Sequence, residues 1–143
     1  MLACGSDAVF VLIISPDWAI QNMVSQLVIT CGYLSTMTET AQEAEAQLAQ
    51  PRDKTWALMV IDAVIFGDVG AGLSSEALQR LQTWSAQRPG LPVVYLGDLI
   101  QKYALLFTRP PLRPFVTLPI SPHVLMQTIQ PLLPNAGELL PVS

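Results

Sequence analysis

Charged side chains are scarce in this chain. Only 13% of its 143 residues are Asp, Glu, Lys or Arg, whereas 51% are hydrophobic. A surface with so little charge is helped by a partner that covers part of it. The net charge of −4 argues against general binding to nucleic acid, because such binding needs a basic surface.

Cysteine, histidine and long hydrophobic runs are also scarce. Cys4 and Cys31 cannot form a disulfide framework and lack the spacing of metal ligands, so we expect a reduced, cytoplasmic setting. The single histidine, His123, has no serine or cysteine partner at a spacing that indicates nucleophilic catalysis. The apolar run at residues 8–14 is far shorter than the roughly 20 residues that span a bilayer. These absences predict a protein that is neither an enzyme nor bound to a membrane.

Apolar runs bounded by turn residues predict five strands. Four of them cover residues 8–14, 56–62, 92–96 and 115–118, and a weaker strand covers 33–37. The run at 8–14 is continuously apolar, which is typical of a parallel strand that is covered on both faces. Asp62 is the last residue of the run at 56–62, which is the third predicted strand along the chain. After it, the glycine-rich residues 63–72 predict a mobile loop.

Helical patterns lie between these strands. The first helix has apolar residues at positions 20, 23, 24, 27, 28 and 31, which form one stripe, and Gly32 is a plausible stop. Thr40 and Glu43 form a capping box for the second helix. Ser121 and Pro122 open the last helix, which is predicted to bury Val124 and Leu125 among its apolar residues.

Five strand–helix units with short connections predict a three-layer, doubly wound α/β sandwich around a parallel five-stranded sheet. We expect one domain over residues 1–134, and residues 135–143 as a tail or the start of a linker. In such sheets the working groups lie at the carboxyl ends of the strands. Asp62 occupies such an end.

Four segments carry a resemblance to a known family. They are Val60-Ile61-Asp62, the strand at 91–96, the passage from Gly32-Tyr33 into the helix with Ala44, and the run Phe115 to Ile120. From about residue 9 to 133 the chain resembles the receiver domain of two-component response regulators. The resemblance implies a (βα)5, flavodoxin-like fold, Asp62 at the phosphoacceptor position and a cis peptide before Pro119.

The resemblance also implies which positions support phosphoryl transfer. In receivers, an acid pair after strand 1 helps to hold Mg²⁺, a hydroxyl after strand 4 contacts the phosphoryl group, and a lysine after strand 5 pairs with it. Here these positions hold Ser15 and Pro16, Gly97, and Leu118. Because Mg²⁺ neutralises the charge on the transferring oxygens, losing its ligands removes the largest catalytic contribution. We therefore expect an atypical receiver, or pseudo-receiver, that needs no cofactor.

Other interpretations of this edge remain open. Asp62 is equally explained as a turn residue that accepts hydrogen bonds from nearby backbone amides, such as those around Gly67. If the first loop slides by one residue, Asp17 approaches the metal site and Asp98 lies at the same edge, so a functional receiver could hold Mg²⁺ through unusual ligands. A domain of this fold that binds a small ligand would instead have a pocket there. Phe115 occupies the family's aromatic switch position, and we interpret it as half-buried core because Gly97 offers no hydroxyl.

The predicted interaction surface lies on the fourth predicted helix and the segment before strand 5. This region has no acid between Asp98 and Glu138, and receivers often dimerise or dock through the face of helix 4, strand 5 and helix 5. A well-packed, proline-stiffened surface turn is the alternative. We expect a protein partner or a second copy to bind here, without phosphorylation. The predicted contact residues are Lys102, Tyr103, Leu106, Phe107, Arg109 and Arg113.

Overall fold

The computed structural model describes residues 9–49, 55–66, 75–88, 90–98, 101 and 114–133. Strands and helices alternate along these ranges, as the sequence predicts. The strands are β1 (Val9–Ile14), β2 (Leu34–Thr38), β3 (Thr55–Asp62), β4 (Val93–Gly97) and β5 (Phe115–Thr117). The α-helices are α1 (Trp18–Thr30), α2 (Ala41–Ala49), α3 (Ser75–Gln87) and α4 (Pro122–Ile129), and 3-10 turns cover Ala63–Phe66 and Gln130–Leu132.

The five strands form one parallel sheet in the order β2-β1-β3-β4-β5. The strand β2 lies on one side of β1, and the chain then crosses to the other side of β1, where β3, β4 and β5 follow in order. This arrangement confirms the predicted doubly wound, flavodoxin-like α/β fold. All strands run in one direction, so the residues after β1, β3, β4 and β5 meet at the same edge of the sheet.

The sheet is buried on both faces. Val11 and Ile13 of β1 belong to one apolar cluster with α1 and α4, whereas Leu12 and Ile14 belong to a second cluster with α2 and α3. Successive side chains of a strand point to opposite faces, which explains why β1 must be apolar throughout.

Local capping signals set the helix ends as predicted. The Thr40 hydroxyl accepts from the Glu43 amide at 3.1 Å, and the Glu43 carboxylate accepts from the Glu39 amide at 2.7 Å. Ser121 caps α4, with Pro122 at its first turn. Gly32 ends α1 with a φ of 93°, a left-handed conformation that favours glycine.

Two sequence predictions differ from the structure. Val124 is 45% exposed rather than buried, because Leu125 and Ile129, one turn apart, form the inward face of α4 and leave Val124 beside it. The predicted mobile loop at 63–72 begins as an ordered 3-10 turn, in which Ala63 is fully buried. The rest of that loop and the predicted tail lie outside the described residues.

No helix in the described ranges is both long and apolar enough to cross a membrane.

The two neighbouring residues of α4 provide a test of the packing. Leu125→Ala leaves a cavity in the core and is expected to lower the free energy of unfolding by about 2–5 kcal/mol. The matched change Val124→Ala removes a half-exposed side chain and should alter it by no more than about 0.5 kcal/mol. Urea unfolding of both variants measures the difference, and equal losses would contradict the orientation of α4.

Candidate functional site

The strand ends bring most of the predicted site positions to one edge of the sheet. Ser15 follows β1, which pairs with β3 up to Ile14 and Ile61. Asp62 is the last residue of β3 and pairs with Leu96, next to Gly97. Leu118 follows β5, and its amide donates to the Gly97 carbonyl at 2.8 Å. The candidate site is therefore a continuous row of strand ends.

Asp62 is buried, with 3% of its surface exposed. The Ser15 hydroxyl donates to its Oδ2 at 2.7 Å, and the Val64 amide donates to its Oδ1 at 3.1 Å. Both carboxylate oxygens therefore have a donor within the protein, as a buried polar group requires. The bond from the Val64 amide is a turn contact two residues along the chain, as expected for an aspartate at the start of a turn.

Ser15, which follows β1, is fully buried and forms hydrogen bonds with residues of β2, β3 and α1. Its hydroxyl donates to Asp62 and accepts from the Asp17 amide at 3.1 Å. Its amide donates to the Thr38 carbonyl at 2.9 Å, which connects the end of β1 to β2. The Gln21 side chain of α1 donates to the carbonyls of Ser15 and Thr38 at 2.6 and 3.3 Å. The sequence gives no signal for this role of Gln21, because a glutamine at this position is typical of the polar face of a helix.

The remaining acids at this edge accept hydrogen bonds from nearby backbone amides. The Asp17 carboxylate accepts from the amides of Ala19 at 2.8 Å and Ile20 at 3.4 Å, and so caps the start of α1. Asp98 and Gln101 bond reciprocally, each side chain accepting from the other residue's amide at 2.8 Å. Both acids are exposed.

The donor set does not fit a Mg²⁺ site of the receiver type. Pro16 has no oxygen in its side chain and Ser15 already donates to Asp62, so the acid-pair positions supply no carboxylate. Asp17, Asp62 and Asp98 all lie in the described part of the chain, where no group of three His, Cys, Asp or Glu side chains is placed to hold a metal ion. Hard divalent cations need several converging oxygens.

The space beside Gly97 is filled. A Cβ added at this position would lie 3.0 Å from the Phe115 ring and 3.2 Å from the Ala63 Cβ, and it would clash with the Gln101 carboxamide oxygen. Phe115 is half-buried, and its ring centroid lies 6.4 Å from that of Tyr95. This position therefore has no room for the hydroxyl side chain that the resemblance implies. Gln101 could have been found from the sequence, since Asp98 and Gln101 have the spacing of a capping box.

Leu118 replaces the cation of the predicted site with an apolar group. It is half-buried and packs against the cluster beneath α1 and α4. The Leu118–Pro119 peptide is cis, as the resemblance implies. Within the described ranges the one salt bridge joins Arg80 of α3 to Glu45 of α2 at 2.7 Å, so it neutralises no acid of the candidate site.

The predicted interaction residues of the fourth predicted helix and the segment after it, at positions 102, 103, 106, 107, 109 and 113, lie outside the described residues. Their role stays a prediction.

Removing the Ser15 hydroxyl tests the central hydrogen bond. Ser15→Ala leaves Asp62 Oδ2 buried without a donor and is expected to lower the free energy of unfolding by about 1–3 kcal/mol. Urea unfolding of Ser15→Ala, Asp62→Ala and the double variant measures the coupling. The double variant should lose less free energy of unfolding than the two single variants together, because each single change already removes the same hydrogen bond. Strictly additive losses would show that the pair is not coupled.

Two glycines form a matched test of the filled space. Gly97→Ala is expected to lower the free energy of unfolding by about 1–3 kcal/mol, because the ring of Phe115 and the cap formed by Gln101 must move. A Cβ added at Gly90 has no neighbouring atom within 4 Å, so Gly90→Ala should leave the free energy of unfolding unchanged or raise it slightly. Thermal or urea unfolding compares the two, and a Gly97→Ala variant as stable as Gly90→Ala would contradict the packing.

No protein-family model and no curated protein matches the sequence. Solved structures do match the fold. A CheY-like receiver domain protein from Methanospirillum hungatei superposes with a TM-score of 0.65 at 20% identity, covering 93% of this chain and 99% of that one. A response regulator receiver protein from Sinorhizobium medicae gives a TM-score of 0.68 at 18% identity, covering 91% and 98%.

A third match is named differently. A putative pilus assembly-related protein from Burkholderia pseudomallei superposes with a TM-score of 0.64 at 20% identity, covering 91% of this chain and 90% of that one. At such identities the likeness concerns the fold. The chain therefore has the receiver-domain fold of two-component response regulators.

Proposed function

We propose that this chain is a receiver-like signalling domain that acts by binding another protein and does not depend on phosphorylation of Asp62. The observation that supports this proposal best is the state of Asp62 itself. Its carboxylate is buried and both of its oxygens accept hydrogen bonds from Ser15 and Val64. A carboxylate in that state is a structural group.

Electrostatics support the same proposal. A phosphoryl group on Asp62 would bring close to two negative charges into a buried site. Among the described residues that site has an apolar Leu118 where receivers have a lysine, and no group of three His, Cys, Asp or Glu side chains is placed to hold a neutralising metal ion. An uncompensated buried charge is strongly unfavourable. The modification would also displace at least one of the two hydrogen bonds that Asp62 accepts.

The two competing functions fit the described residues less well. A functional receiver with Mg²⁺ held by Asp17 and Asp98 requires their carboxylates to face Asp62, whereas Asp17 caps α1 and Asp98 accepts from the Gln101 amide. A domain that binds a small ligand requires space at the strand ends, whereas the space beside Gly97 is too small for one added carbon. In the proposed role the chain is a cytoplasmic binding module without an enzymatic activity, and the surface of the fourth predicted helix and strand 5 remains the sequence-predicted contact.

Chemical phosphorylation tests the proposal. The purified chain is incubated with Mg²⁺ and either acetyl phosphate or beryllofluoride, beside a receiver that is known to react. Intact mass and fluorine resonance spectra should show no phosphoryl or beryllofluoride adduct on this chain, because Asp62 is buried and Leu118 stands at the position where receivers have a lysine.

The Asp62→Asn variant is the control for modification elsewhere, since it has no carboxylate at this position. A stoichiometric adduct that forms on the wild type and disappears in Asp62→Asn would overturn the proposal.

A further inference from the structure

A long segment of the chain carries no charge. Between Asp17 and Glu39, every residue from Trp18 to Thr38 is neutral, although the segment comprises all of α1 and β2. It also contains four of the six large hydrophobic side chains that are exposed in the described ranges. These are Trp18 at 73%, Ile29 at 55%, Leu34 at 49% and Met37 at 50% exposed. We call the surface formed by Trp18, Ile29 and Met37 the α1–β2 face. Leu34 lies on the other side of the sheet, because successive residues of a strand point to opposite faces.

The exposed side chains of α1 lie on a stripe that borders β2. Trp18 and Ile29 share this stripe with the buried Ser25, because the three residues are spaced by seven and four positions. The Ser25 hydroxyl lies 2.7 Å from that of Ser35 in β2, which shows that this stripe faces β2. Met37 lies on the same side of the sheet as Ser35, because alternate residues of a strand share a face.

The outer edge of β2 pairs with no other strand in the described ranges. Of the described strands, β2 is terminal and pairs only with β1. The Thr38 carbonyl points toward β1, where it accepts from the Ser15 amide. Backbone groups alternate in direction along a strand, so those of Ser35 and Met37 point away from the sheet. The register with β1 is uninterrupted, and β2 contains no proline or charge, the usual devices that prevent an edge from pairing.

We propose that the α1–β2 face binds a second copy of this chain, with the two β2 strands paired antiparallel about a two-fold axis at Thr36. In this register Ser35 of one copy stands opposite Met37 of the other, and each such pair exchanges two backbone hydrogen bonds. The same surface is used on both copies, as a two-fold interface requires. The result is one continuous ten-stranded sheet.

The helices fit the same axis. The contacts of α1 with β2 place Ser25 beside Ser35 and Gln21 beside Thr38, so the level of Thr36 falls between residues 23 and 24 of the helix. A two-fold axis there sets the two α1 helices antiparallel on one side of the sheet. Trp18 and Ile29 are nearly equidistant from that level in sequence. Trp18 of one copy therefore meets Ile29 of the other, and both exposed side chains become covered.

Charge favours a second copy as the occupant. Two copies that each carry a net charge of −4 repel one another, and the repulsion is least where the facing surfaces carry no charge. The α1–β2 face is such a surface, and it offers no charged group that would select a charged partner. The pairing goes beyond the proposed function, since it does not depend on Asp62, and it uses a surface other than the one predicted from the sequence.

Cysteine cross-linking tests the register. In a background with Cys4→Ser and Cys31→Ala, Thr36→Cys is introduced at the axis. The Cα atoms of such a non-hydrogen-bonded antiparallel pair lie about 4.5 Å apart, within the range of roughly 4.4–6.8 Å that a disulfide spans. Mild oxidation should give a disulfide-linked dimer. Thr83→Cys, which is exposed on α3, is the control and should stay monomeric on a denaturing gel.

Sedimentation analysis tests the interface without a cross-link. The wild-type chain should form a dimer, and Met37→Lys should raise its dissociation constant at least about tenfold, because an unpaired charge would be buried at the axis. Val64→Lys adds the same charge at a side chain that is 46% exposed elsewhere, and it should leave the dimer unchanged. Circular dichroism verifies that both variants are folded.

Three outcomes would overturn this inference. They are a wild-type chain that is monomeric at every concentration, a dimer that Met37→Lys does not weaken, and a Thr83→Cys variant that cross-links as readily as Thr36→Cys. None of them affects the phosphorylation experiment on Asp62, so the two proposals fail separately.

Discussion

The hydrogen bond from Ser15 to Asp62 is the interaction on which the candidate site depends. A carboxylate that is 3% exposed must find donors inside the protein, and here they are a serine hydroxyl and the amide of Val64. The same serine binds the end of β2 through its amide and the Gln21 side chain through its carbonyl. One fully buried residue thus connects β1, β2, β3 and α1. Among the described residues, the polar edge of the sheet is stabilised by hydrogen bonds from hydroxyl, amide and carboxamide groups.

The rest of the edge is closed by packing. Ala63, Phe115 and Gln101 occupy the surroundings of Gly97, and Gln101 is kept in place by its reciprocal bonds with Asp98. A methyl group at this position would meet its neighbours at 3.0–3.2 Å, so Phe115 and Gln101 would have to shift to admit a side chain. Packing therefore fills the space beside Gly97.

Much of the fold followed from local patterns in the sequence. Continuous apolar runs predicted the strands, and the caps at Thr40 and Ser121 predicted helix starts, because these signals depend on residues within one or two turns of each other. The position of Asp62 at the carboxyl end of β3 followed from the same patterns, and the cis peptide before Pro119 from the family resemblance. Val124 was assigned to the wrong side of α4, since an apolar residue at the border of a stripe is buried or exposed according to its neighbours in space.

The sequence by itself determined the alternation of strands and helices, the parallel sheet and the position of Asp62 at the carboxyl end of β3. Only the tertiary structure decided that Ser15 donates to Asp62, 47 residues away, that Gln101 closes the space beside Gly97, and that the neutral segment from Trp18 to Thr38 lies at an edge of the sheet. The physical reason is the range of the interactions. Periodicity and capping act between neighbours in the chain, whereas buried hydrogen bonds and exposed faces arise only once distant segments have packed together.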